Sequence, residues 1–586
     1  MFPENTPFNP SQRKALEPLL GSFSATQNAW LGGFLSAQAG AGASAAPAVS
    51  ASLNVLFGTE SGNCEALAEK LTKKAKKQGF KVKNQNLADI KAADLKQMEN
   101  VALIISTWGD GEPPEAAEGF YNEFMKADLD LSKVSYSICA LGDTSYDKFC
   151  QTGRDFDQQF HNLGAKRVAE RAECDVDFDD AYTAWETSFF DALGVAATAA
   201  LAVPAASSIP TIEYGRKNPF PSEVLENLVL NGEGSAKETI HVELGLEGSG
   251  LEYEAGDALA VVALNAEDTV TEFLKASGLK GDETVEVKGV GSFPLTEALT
   301  EQLDITALSR AVVKKYQALA GDEKLAALLA DDAKEAFKEW IWGRQIIDLL
   351  EEHPVKDLTA QQLASVMRKL PPRLYSIASS PKAHPGEVHL TVAAVRYDAH
   401  GKSRKGVAST YLADDCAAGE KVKVYVHKNK NFRLPEDNDK PVIMVGPGTG
   451  IAPFRAFIEE RAEREAKGDT WLFFGDQHYT YDFLYQLELQ DHLKNGDLNK
   501  IDVAFSRDQP EKVYVQDRMR DSAAELYEWL EKGAYFYVCG DASRMASDVH
   551  DALIEVIQTQ GGKTPEEATA YVDALKKDKR YQRDVY

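Results

Sequence analysis

The chain has 586 residues, of which 44% are apolar and 26% charged, a composition typical of a globular protein of roughly three or four domains. Its formal net charge of −27 should repel nucleic acids and anionic membranes, which excludes both as expected partners and favours a partner with a basic surface. The six cysteines are scattered without CxxC pairs, so no disulfide framework and no metal site is predicted, and reduced thiols indicate the cytoplasm.

The first 50 residues are predicted to hold a short helical segment followed by a flexible connection. Apolar residues recur at roughly helical spacing in residues 9–35, which form an oligomerisation or docking segment, or a cap on the next domain. Residues 36–52 are rich in Ala, Gly and Ser and are interpreted as a linker. The N-terminus lacks the order of a signal peptide, and no apolar run reaches ~18 residues, so neither secretion nor a membrane anchor is predicted.

Residues 51–195 alternate between apolar strand-like runs and amphipathic helical runs. The strand-like runs "LNVLFGT", "VALIISTW" and "SYSICALGDT" each end in a loop that leads into a helix-like run. This order is typical of a doubly wound parallel sheet. Ligands bind such sheets at the carboxyl ends of the strands, so the three loops are candidate binding loops.

Each of the three loops has an unusual composition. The first, Gly58 to Asn63, offers hydroxyls, an amide and backbone N–H groups, and predicts a phosphate site that needs no lysine. Trp108 in the second loop and Tyr146 in the third could simply be core aromatics. Because both follow neighbouring strands beside a phosphate loop, we favour two rings that sandwich a flat ligand.

The remainder is predicted to contain a linker at 196–214, an antiparallel β-barrel at 215–435 and a second α/β domain at 436–586. β-branched alternation, as in "EKVKVYVH", indicates the barrel, and a largely helical block at about 265–368 interrupts it. In the last domain, "KPVIMV" leads into "GPGTGIAPFRAF". A glycine-rich loop between strand and helix fits either a bound dinucleotide or a tight turn without ligand, and the loop alone does not separate the two.

These motifs together resemble a known family. "GTESGN", "STWGDGEPPE" and "LGDTSYDKFC" resemble the three FMN loops of a flavodoxin domain. "PPRLYSIASS", "GVAST", "GPGTGIAPFR" and the tail from "AFSRDQPEKVYVQDRMRD" to "RYQRDVY" resemble the ferredoxin–NADP reductase module of diflavin reductases. Within that family the chain is most similar to the flavoprotein (alpha) components of bacterial NADPH-dependent sulfite reductases, over essentially its whole length. The implied fold is a flavodoxin-like domain, an FAD-binding barrel with a helical connecting insertion, and a Rossmann-like NADP-binding domain.

The resemblance implies that FMN is held by residues of all three loops. Trp108 departs from the family pattern, in which a polar residue is expected at this place. The implied FMN contacts are Thr59, Glu60, Ser61, Gly62, Asn63, Cys64, Ser106, Thr107, Trp108, Gly109, Leu141, Gly142, Asp143, Thr144, Ser145, Tyr146, Asp147, Lys148, Phe149 and Cys150.

For FAD, the resemblance implies that Arg373 pairs with the pyrophosphate, that Tyr375 stacks on the isoalloxazine and that Ser376 lies near flavin N5. Alternatively, Arg373 is a buried arginine with a purely structural role. Residues 406–410 would open a helix that holds the diphosphate. The implied FAD contacts are Thr306, Arg373, Leu374, Tyr375, Ser376, Thr391, Val392, Ala393, Tyr397, Gly406, Val407, Ala408, Ser409 and Tyr586.

For NADPH, Arg507 and Lys512 supply two cations for the 2′-phosphate, although each alone could be a solvated surface charge. The hydride-transfer residues would be Ser376, Cys539, Asp584 and Tyr586, with Cys539 alternatively a small buried residue. The implied NADPH contacts are Gly448, Thr449, Gly450, Ser506, Arg507, Lys512, Val513, Tyr514, Val515, Gln516 and Asp548.

The implied activity is electron transfer from NADPH through FAD and FMN to a sulfite reductase hemoprotein (beta) component with sirohaem and an iron–sulfur cluster. That component would reduce sulfite to sulfide, by six electrons, in cysteine biosynthesis. A soluble NADPH–cytochrome P450-type reductase with another haem-protein acceptor is the alternative, and a scaffold without redox activity is a third. The acidic run around Asp177 and Asp179 is either a solvated face or the surface that docks the acceptor.

Overall fold

The structure is a computed structural model that describes residues 52–59, 62–109, 111–144, 146, 148–194, 214–330 and 332–586. The predicted N-terminal segment and most of both predicted linkers lie outside the described residues. Four predicted FMN contacts also lie outside them: Glu60, Ser61, Ser145 and Asp147.

The first unit is a parallel α/β sheet. Its elements are β1 (Ser52–Gly58), α1 (Asn63–Lys77), β2 (Lys81–Asn86), β3 (Asn100–Ser106), α2 (Glu115–Met125), β4 (Ser135–Leu141), α3 (Gln151–Asn162), β5 (Lys166–Arg167), β6 (Ala172–Cys174) and α4 (Asp179–Ala192). The strand order is β2-β1-β3-β4-β5, and β6 pairs with β4. Strand β1 is apolar throughout because both of its faces are covered: Val55 packs toward the cluster of α1 and α4, and Leu56 toward that of α2 and α3.

The second unit is an antiparallel sheet. Its strands are β7 (Phe220–Val229), β8 (Thr239–Gly245), β9 (Ala258–Val262), β12 (Arg373–Ser376), β13 (Glu387–Ala393) and β16 (Lys421–His427), in the order β12-β9-β16-β7-β8-β13. Strands β14 (Arg396–Ala399) and β15 (Lys402–Lys405) form a hairpin, and α12 (Val407–Thr410) follows it. The edge strands β12 and β13 also meet through an isolated bridge between Ile377 and Leu390. The structure thus shows a six-stranded antiparallel sheet with this bridge at the place of the predicted barrel.

A helical block separates β9 from β12 and has its own hydrophobic core, which includes Phe273, Tyr316 and Leu363. Its elements are α5 (Glu267–Ser277), β10 (Thr284–Val287), β11 (Gly291–Pro294), α6 (Leu295–Glu297), α7 (Arg310–Ala320), α8 (Glu323–Leu328), α9 (Lys334–Ile341), α10 (Ile346–Glu352) and α11 (Ala360–Val366).

The third unit is a second parallel α/β sheet, of order β19-β18-β17-β20-β21. Its elements are β17 (Val442–Val445), α13 (Ala452–Glu463), β18 (Thr470–Asp476), α14 (Tyr479–Asp482), α15 (Gln486–Asn495), β19 (Lys500–Phe505), α16 (Val515–Asp521), α17 (Ala523–Glu531), β20 (Tyr535–Gly540), α18 (Met545–Gly561), α19 (Pro565–Lys577) and β21 (Tyr581–Val585). The two parallel sheets agree with the α/β layout predicted from the sequence. Among the described helices, none has the length and apolar character that crossing a membrane requires.

Candidate active site

Two adjoining cavities dominate the junction of the three units. The first cavity, of about 1180 Å³, lies at the carboxyl ends of β1, β3 and β4. The second cavity, of about 610 Å³, lies between β12, β13 and β21. Both walls contain the same six residues: Trp108, Pro371, Arg373, Leu374, His427 and Tyr586. A ligand in one cavity would therefore lie next to a ligand in the other.

The first cavity has the polar groups that a phosphate needs. Asn63 begins α1 at its wall, and Gly62 before it takes a left-handed conformation with φ of 82°. The Ser106 hydroxyl is buried and has no hydrogen-bond partner among the described residues. Thr59 Oγ1 accepts from Cys64 N at 3.4 Å, and Thr107 Oγ1 accepts from Thr152 N at 3.1 Å. A buried hydroxyl without a partner beside a helix N-terminus fits a phosphate ester.

The two aromatic side chains of this cavity are not core residues. Tyr146 lines the first cavity and is 56% exposed, and Trp108 is half-buried in the wall that separates the two cavities. A core aromatic would be covered by apolar side chains instead. Their positions fit rings that stack on a flat ligand, and Trp108 lies where two such ligands would meet.

The third loop of the first cavity is fixed by close packing and ion pairs. A Cβ on Gly142 would lie 2.9 Å from Cys150 N, so a larger residue does not fit there. Thr144 Oγ1 donates to Asp175 at 2.6 Å, and Asp143 binds Arg368 Nη1 at 2.7 Å. The cavity wall also includes Leu141, Lys148, Phe149 and Cys150. Cys64, by contrast, is fully buried in the core of this unit, so a role of its side chain in direct ligand contact does not fit.

The second cavity is lined by most of the residues predicted to hold FAD. The members in its wall are Thr306, Arg373, Leu374, Tyr375, Ser376, Thr391, Ala393, Gly406, Val407, Ala408 and Ser409. Val392 is an exception, because side chains alternate along β13 and Val392 points into the buried core of the sheet. Tyr397 lies on the β14–β15 hairpin, is 44% exposed and is not part of the cavity wall. The helix expected after Gly406 is α12, with four residues followed by a π-helical turn at Tyr411–Asp415.

A short polar chain lies at one end of the second cavity, whose wall contains Ser376 and Asp584 but not Cys539, which is fully buried. Ser376 Oγ donates to Asp584 Oδ2 at 2.5 Å, and the Cys539 thiol donates to the same oxygen at 3.9 Å. β20 and β21 pair in parallel register with Cys539 opposite Asp584, which brings the two side chains together. Burial raises the pKa of the Asp584 carboxyl. Burial, together with the neighbouring Asp584, raises the pKa of Cys539 well above its usual range, so this thiol is protonated and is not a nucleophile.

Tyr586 is a half-exposed aromatic ring in the wall of both cavities. Its hydroxyl forms a hydrogen bond of 2.8 Å with Thr449 Oγ1, and its backbone N–H donates to Gly540 O at 3.0 Å. The ring is thus held at the second cavity by a single side-chain hydrogen bond, which leaves it displaceable.

The glycines of the loop after β17 serve different purposes. A Cβ on Gly446 would lie 2.5 Å from Phe454, and one on Gly450 would lie 2.2 Å from the carbonyl oxygen of Cys539. These two glycines are required by packing alone. Gly448 has a left-handed φ of 57° and no neighbour closer than 3.8 Å to its Cβ position, so this part of the loop leaves room for a ligand.

The predicted 2′-phosphate residues lie after β19. Arg507 and Lys512 are both exposed, and neither has an ion pair within the part of the chain that the structure describes. In a chain of net charge −27, two neighbouring cations without carboxylate partners fit a phosphate dianion. Tyr514 is also exposed, and Gln516 Nε2 donates to Asp548 at 3.2 Å. Val515 packs in the core of this unit, so its side chain is not free to contact a ligand, whereas Val513 lies at the edge of that core and is only partly buried.

Sequence reasoning missed several residues of the site. Arg368 lies in the first cavity and bridges Asp143 of the first unit to Asp304 of the helical block, at 2.7 and 3.1 Å. His427 lines both cavities, and Asn429 lines the second. These residues lie in no recognisable motif, and their places follow from tertiary contacts alone.

Comparison with known proteins agrees with this architecture. Residues 55–185 match the flavodoxin family, residues 213–411 the FAD binding domain family, and residues 444–551 the oxidoreductase NAD-binding domain family. The sulfite reductase [NADPH] flavoprotein alpha-component of Bacillus subtilis (strain 168) is 47% identical, covering 99% of this chain and 99% of its own length. The proteins of the same name from Vibrio cholerae (strain O395) and Aliivibrio fischeri are 44% and 43% identical and cover 99% of this chain, and 96% and 98% of their own lengths.

The chain belongs to the sulfite reductase [NADPH] flavoprotein alpha-component family. It is an NADPH-dependent oxidoreductase with FMN, FAD and NADPH as its cofactors, as the resemblance implied. Membership in this family favours that interpretation over a cytochrome P450-type reductase and over a scaffold without redox activity. The first cavity lies in the flavodoxin unit and the second in the FAD-binding unit.

Proposed function

We propose that this chain passes electrons from NADPH through FAD and FMN to a sulfite reductase hemoprotein component, which reduces sulfite to sulfide for cysteine biosynthesis. The observation that carries the proposal is the wall of six residues that the two cavities share. Ligands in the two cavities would therefore contact the same side chains from either side. The acceptor is inferred from the names of the relatives, which are flavoprotein components of NADPH-dependent sulfite reductases.

The cofactors supply hydride transfer from NADPH to FAD and single-electron delivery from FMN, and the chain positions them. We place the nicotinamide against Ser376 and Asp584, where the bond from Ser376 to Asp584 orients both side chains. Cys539, which is fully buried, would support Asp584 and not touch the ring. Tyr586 occupies the same end of the second cavity and would leave its hydrogen bond to Thr449 when the nicotinamide enters. Arg507 and Lys512 would hold the 2′-phosphate.

The experiment that tests this function uses the purified holoenzyme with candidate acceptors. With NADPH, sulfite and a sulfite reductase hemoprotein we expect sulfide to form, and with NADPH and a cytochrome P450-type haem protein we expect little electron transfer. Reduction of the P450-type haem protein, together with no sulfide from the mixture that contains the sulfite reductase hemoprotein, would overturn the choice of acceptor.

Three further points belong to the same proposal. We infer that residues 9–35 join copies of the chain, which light scattering of a variant without them would test. The chain acts in the cytoplasm, in keeping with the six free cysteines. The six-stranded sheet acts as a flattened barrel, because the bridge between Ile377 and Leu390 joins its edge strands.

A further inference from the structure

Three of the ten histidines in the chain lie close together, and none of them is among the predicted nucleotide contacts. His241 and His389 lie on β8 and β13, and His384 lies just before β13. The ring centroids of His241 and His389 are 5.1 Å apart, and those of His384 and His389 are 4.3 Å apart. Side chains of the third unit cover the cluster, through Tyr485 and Arg455.

The pairing of the two strands puts two histidines and two glutamates on one face. In the antiparallel register His389 lies opposite Glu243, and His241 lies opposite Thr391. Residues two apart on a strand share a face, so His241 and Glu243 point the same way as Glu387 and His389. The residues between them, Val242 and Val388, point into the core of the sheet.

The distances among His241, Glu243 and His389 are close to those of three ligands of a tetrahedral metal site. With metal–nitrogen and metal–oxygen bonds of about 2.0–2.1 Å, neighbouring ligand atoms of a tetrahedral zinc ion lie about 3.3 Å apart. His241 Nε2 lies 3.2 Å from Glu243 Oε1, and His389 Nε2 lies 3.2 Å from Glu387 Oε2 and 3.8 Å from Glu243 Oε1. The ligand atoms of His241, Glu243 and His389 all lie within 4.8 Å of one another.

We propose that His241, Glu243 and His389 bind one divalent transition-metal ion of the zinc class, with the fourth coordination position open. Imidazole nitrogen and carboxylate oxygen form a suitable donor set for zinc, and the carboxylate offsets part of the charge of a divalent ion. All three ligands lie on β8 and β13, so the ion would tie these two strands together. The inference does not depend on the acceptor of the electrons.

The surroundings support binding through the two Nε2 atoms. The other ring nitrogen of His241 lies 2.9 Å from the Tyr485 hydroxyl, which can accept its proton and fix the ring.

Arg455 is a cation next to the site and opposes the ion. Its Nη1 lies 3.3 Å from His389 Nδ1, but it also lies 2.8 Å from Ala378 O and 3.0 Å from Glu459 Oε1, and its Nε lies 2.7 Å from Glu488. The contact with His389 is the longest of the four. Metal binding would move the proton of His389 to Nδ1 and break this contact, while the other three would keep the guanidinium in place.

The test is the zinc content of the holoenzyme after chelator treatment and equilibrium dialysis against Zn²⁺. We expect about one zinc ion per chain, and a loss of at least tenfold in affinity in His241→Gln and in Glu243→Gln. His492→Gln is the matched control, because His492 also pairs with a carboxylate, Asp497, at 3.1 Å, and it should keep the ion. Zinc should also raise the melting temperature of the wild type and of the control, but not of the two site variants.

X-ray absorption at the zinc edge gives an independent answer. We expect a first shell of nitrogen and oxygen with scattering from two imidazole rings. A wild-type chain that takes up no zinc, or site variants that bind it as well as the control, would overturn the proposal. Sulfur in the first shell would do so as well, because it would place the ion on cysteines. Should His241→Gln lose its flavins, Glu243→Gln, which replaces a partly exposed side chain, still decides the question.

Discussion

Asp584 has a carboxyl group that the fold buries, and burial disfavours its charged form. Burial raises its pKa above the ordinary value of 3.8. Because the folded state binds the proton more tightly than the unfolded state, this residue favours folding at low pH, and that contribution is lost as the pH rises through the raised pKa. A charge held at a cost to stability is typical of a functional position.

We therefore expect Asp584→Asn to stabilise the protein near pH 7 and to have little effect on stability near pH 3, as measured by denaturant unfolding. The same substitution should slow hydride transfer, measured by stopped-flow absorbance, on the order of tenfold to a hundredfold, because the nicotinamide loses its positioning group. Asp578→Asn, a substitution of an exposed carboxylate nearby, should change neither quantity. An equal gain in stability at both pH values would contradict the assigned pKa shift.

Arg507 and Lys512 give a second prediction at the scale of single residues. Arg507→Ala combined with Lys512→Ala should raise the Michaelis constant for NADPH by about one to two decades per lost contact, since each charged hydrogen bond is worth roughly 1.5–3 kcal/mol. The constant for NADH, which has no 2′-phosphate, should hardly change. Lys494→Ala removes a cation that pairs with Asp491 instead, and should leave both constants as they are. A parallel rise for both nucleotides would refute the assignment.

At the scale of elements, the strand-to-helix turn after β17 depends on Gly450. Its Cβ position lies 2.2 Å from a backbone oxygen, which no side-chain rotation can relieve. Gly450→Ala should destabilise the NADPH-binding unit by about 1–3 kcal/mol, as overpacking does. Gly119→Ala, in an exposed turn of α2 with no atom within 4 Å of the Cβ position, should instead stabilise by about 0.4–1 kcal/mol. Thermal unfolding compares the melting temperatures of the two variants. Equal values would show that the turn at Gly450 can shift to make room for the added methyl group.

The strands and their loops could be predicted from the sequence, because apolar runs, turn residues and family motifs are local features. The orientation of single side chains along β13 could not. Thr391 and Ala393 face the second cavity, whereas Val392, predicted with them, faces the core. Arg368 carries no local pattern, since its two partners lie 225 and 64 residues away.

The histidine cluster shows a signal that sequence analysis could have used. "HVE" at 241–243 and "EVH" at 387–389 are mirror images, and on paired antiparallel strands such a pair puts two histidines and two glutamates on one face. The prediction that the chain has no metal site considered cysteine spacing alone. That prediction could not take the histidines into account, because the pairing of their two strands is known only from the fold.

At the scale of the whole molecule, several ion pairs join the flavodoxin unit to the rest of the chain, and their charges are arranged the same way. Acids lie on the flavodoxin side and bases on the other. The pairs are Lys430 with Glu69 and Glu65, Lys576 and Arg583 with Glu115, Arg368 with Asp143, Lys369 with Asp177, and Arg216 with Asp177 and Asp179. The acidic run expected to dock the acceptor therefore has partners within the chain, and an acceptor with a basic surface would have to compete for it.

We expect salt to loosen this junction, because screening shortens the range of charge interactions from about 30 Å at 0.01 M to about 3 Å at 1 M ionic strength. Lys369→Glu with Lys430→Glu should slow electron arrival at FMN at low salt and enlarge the radius of gyration in small-angle scattering. Lys494→Glu with Lys532→Glu reverses two cations whose partners lie within the NADPH-binding unit, and should do neither. An effect of the same size from both pairs of substitutions would assign it to net charge alone.

The wall that the two cavities share has a consequence for side reactions with oxygen. Trp108 belongs to the flavodoxin unit, whereas Arg373, Leu374 and His427 belong to the FAD-binding unit, so one surface of contact covers both cavities. Any separation that carries the flavodoxin unit toward an acceptor also uncovers the FAD cavity. The same movement that lets the flavodoxin unit deliver electrons therefore exposes the FAD cavity to dioxygen. The fraction of NADPH that ends as hydrogen peroxide should rise whenever the junction is loosened and no acceptor is present to cover it.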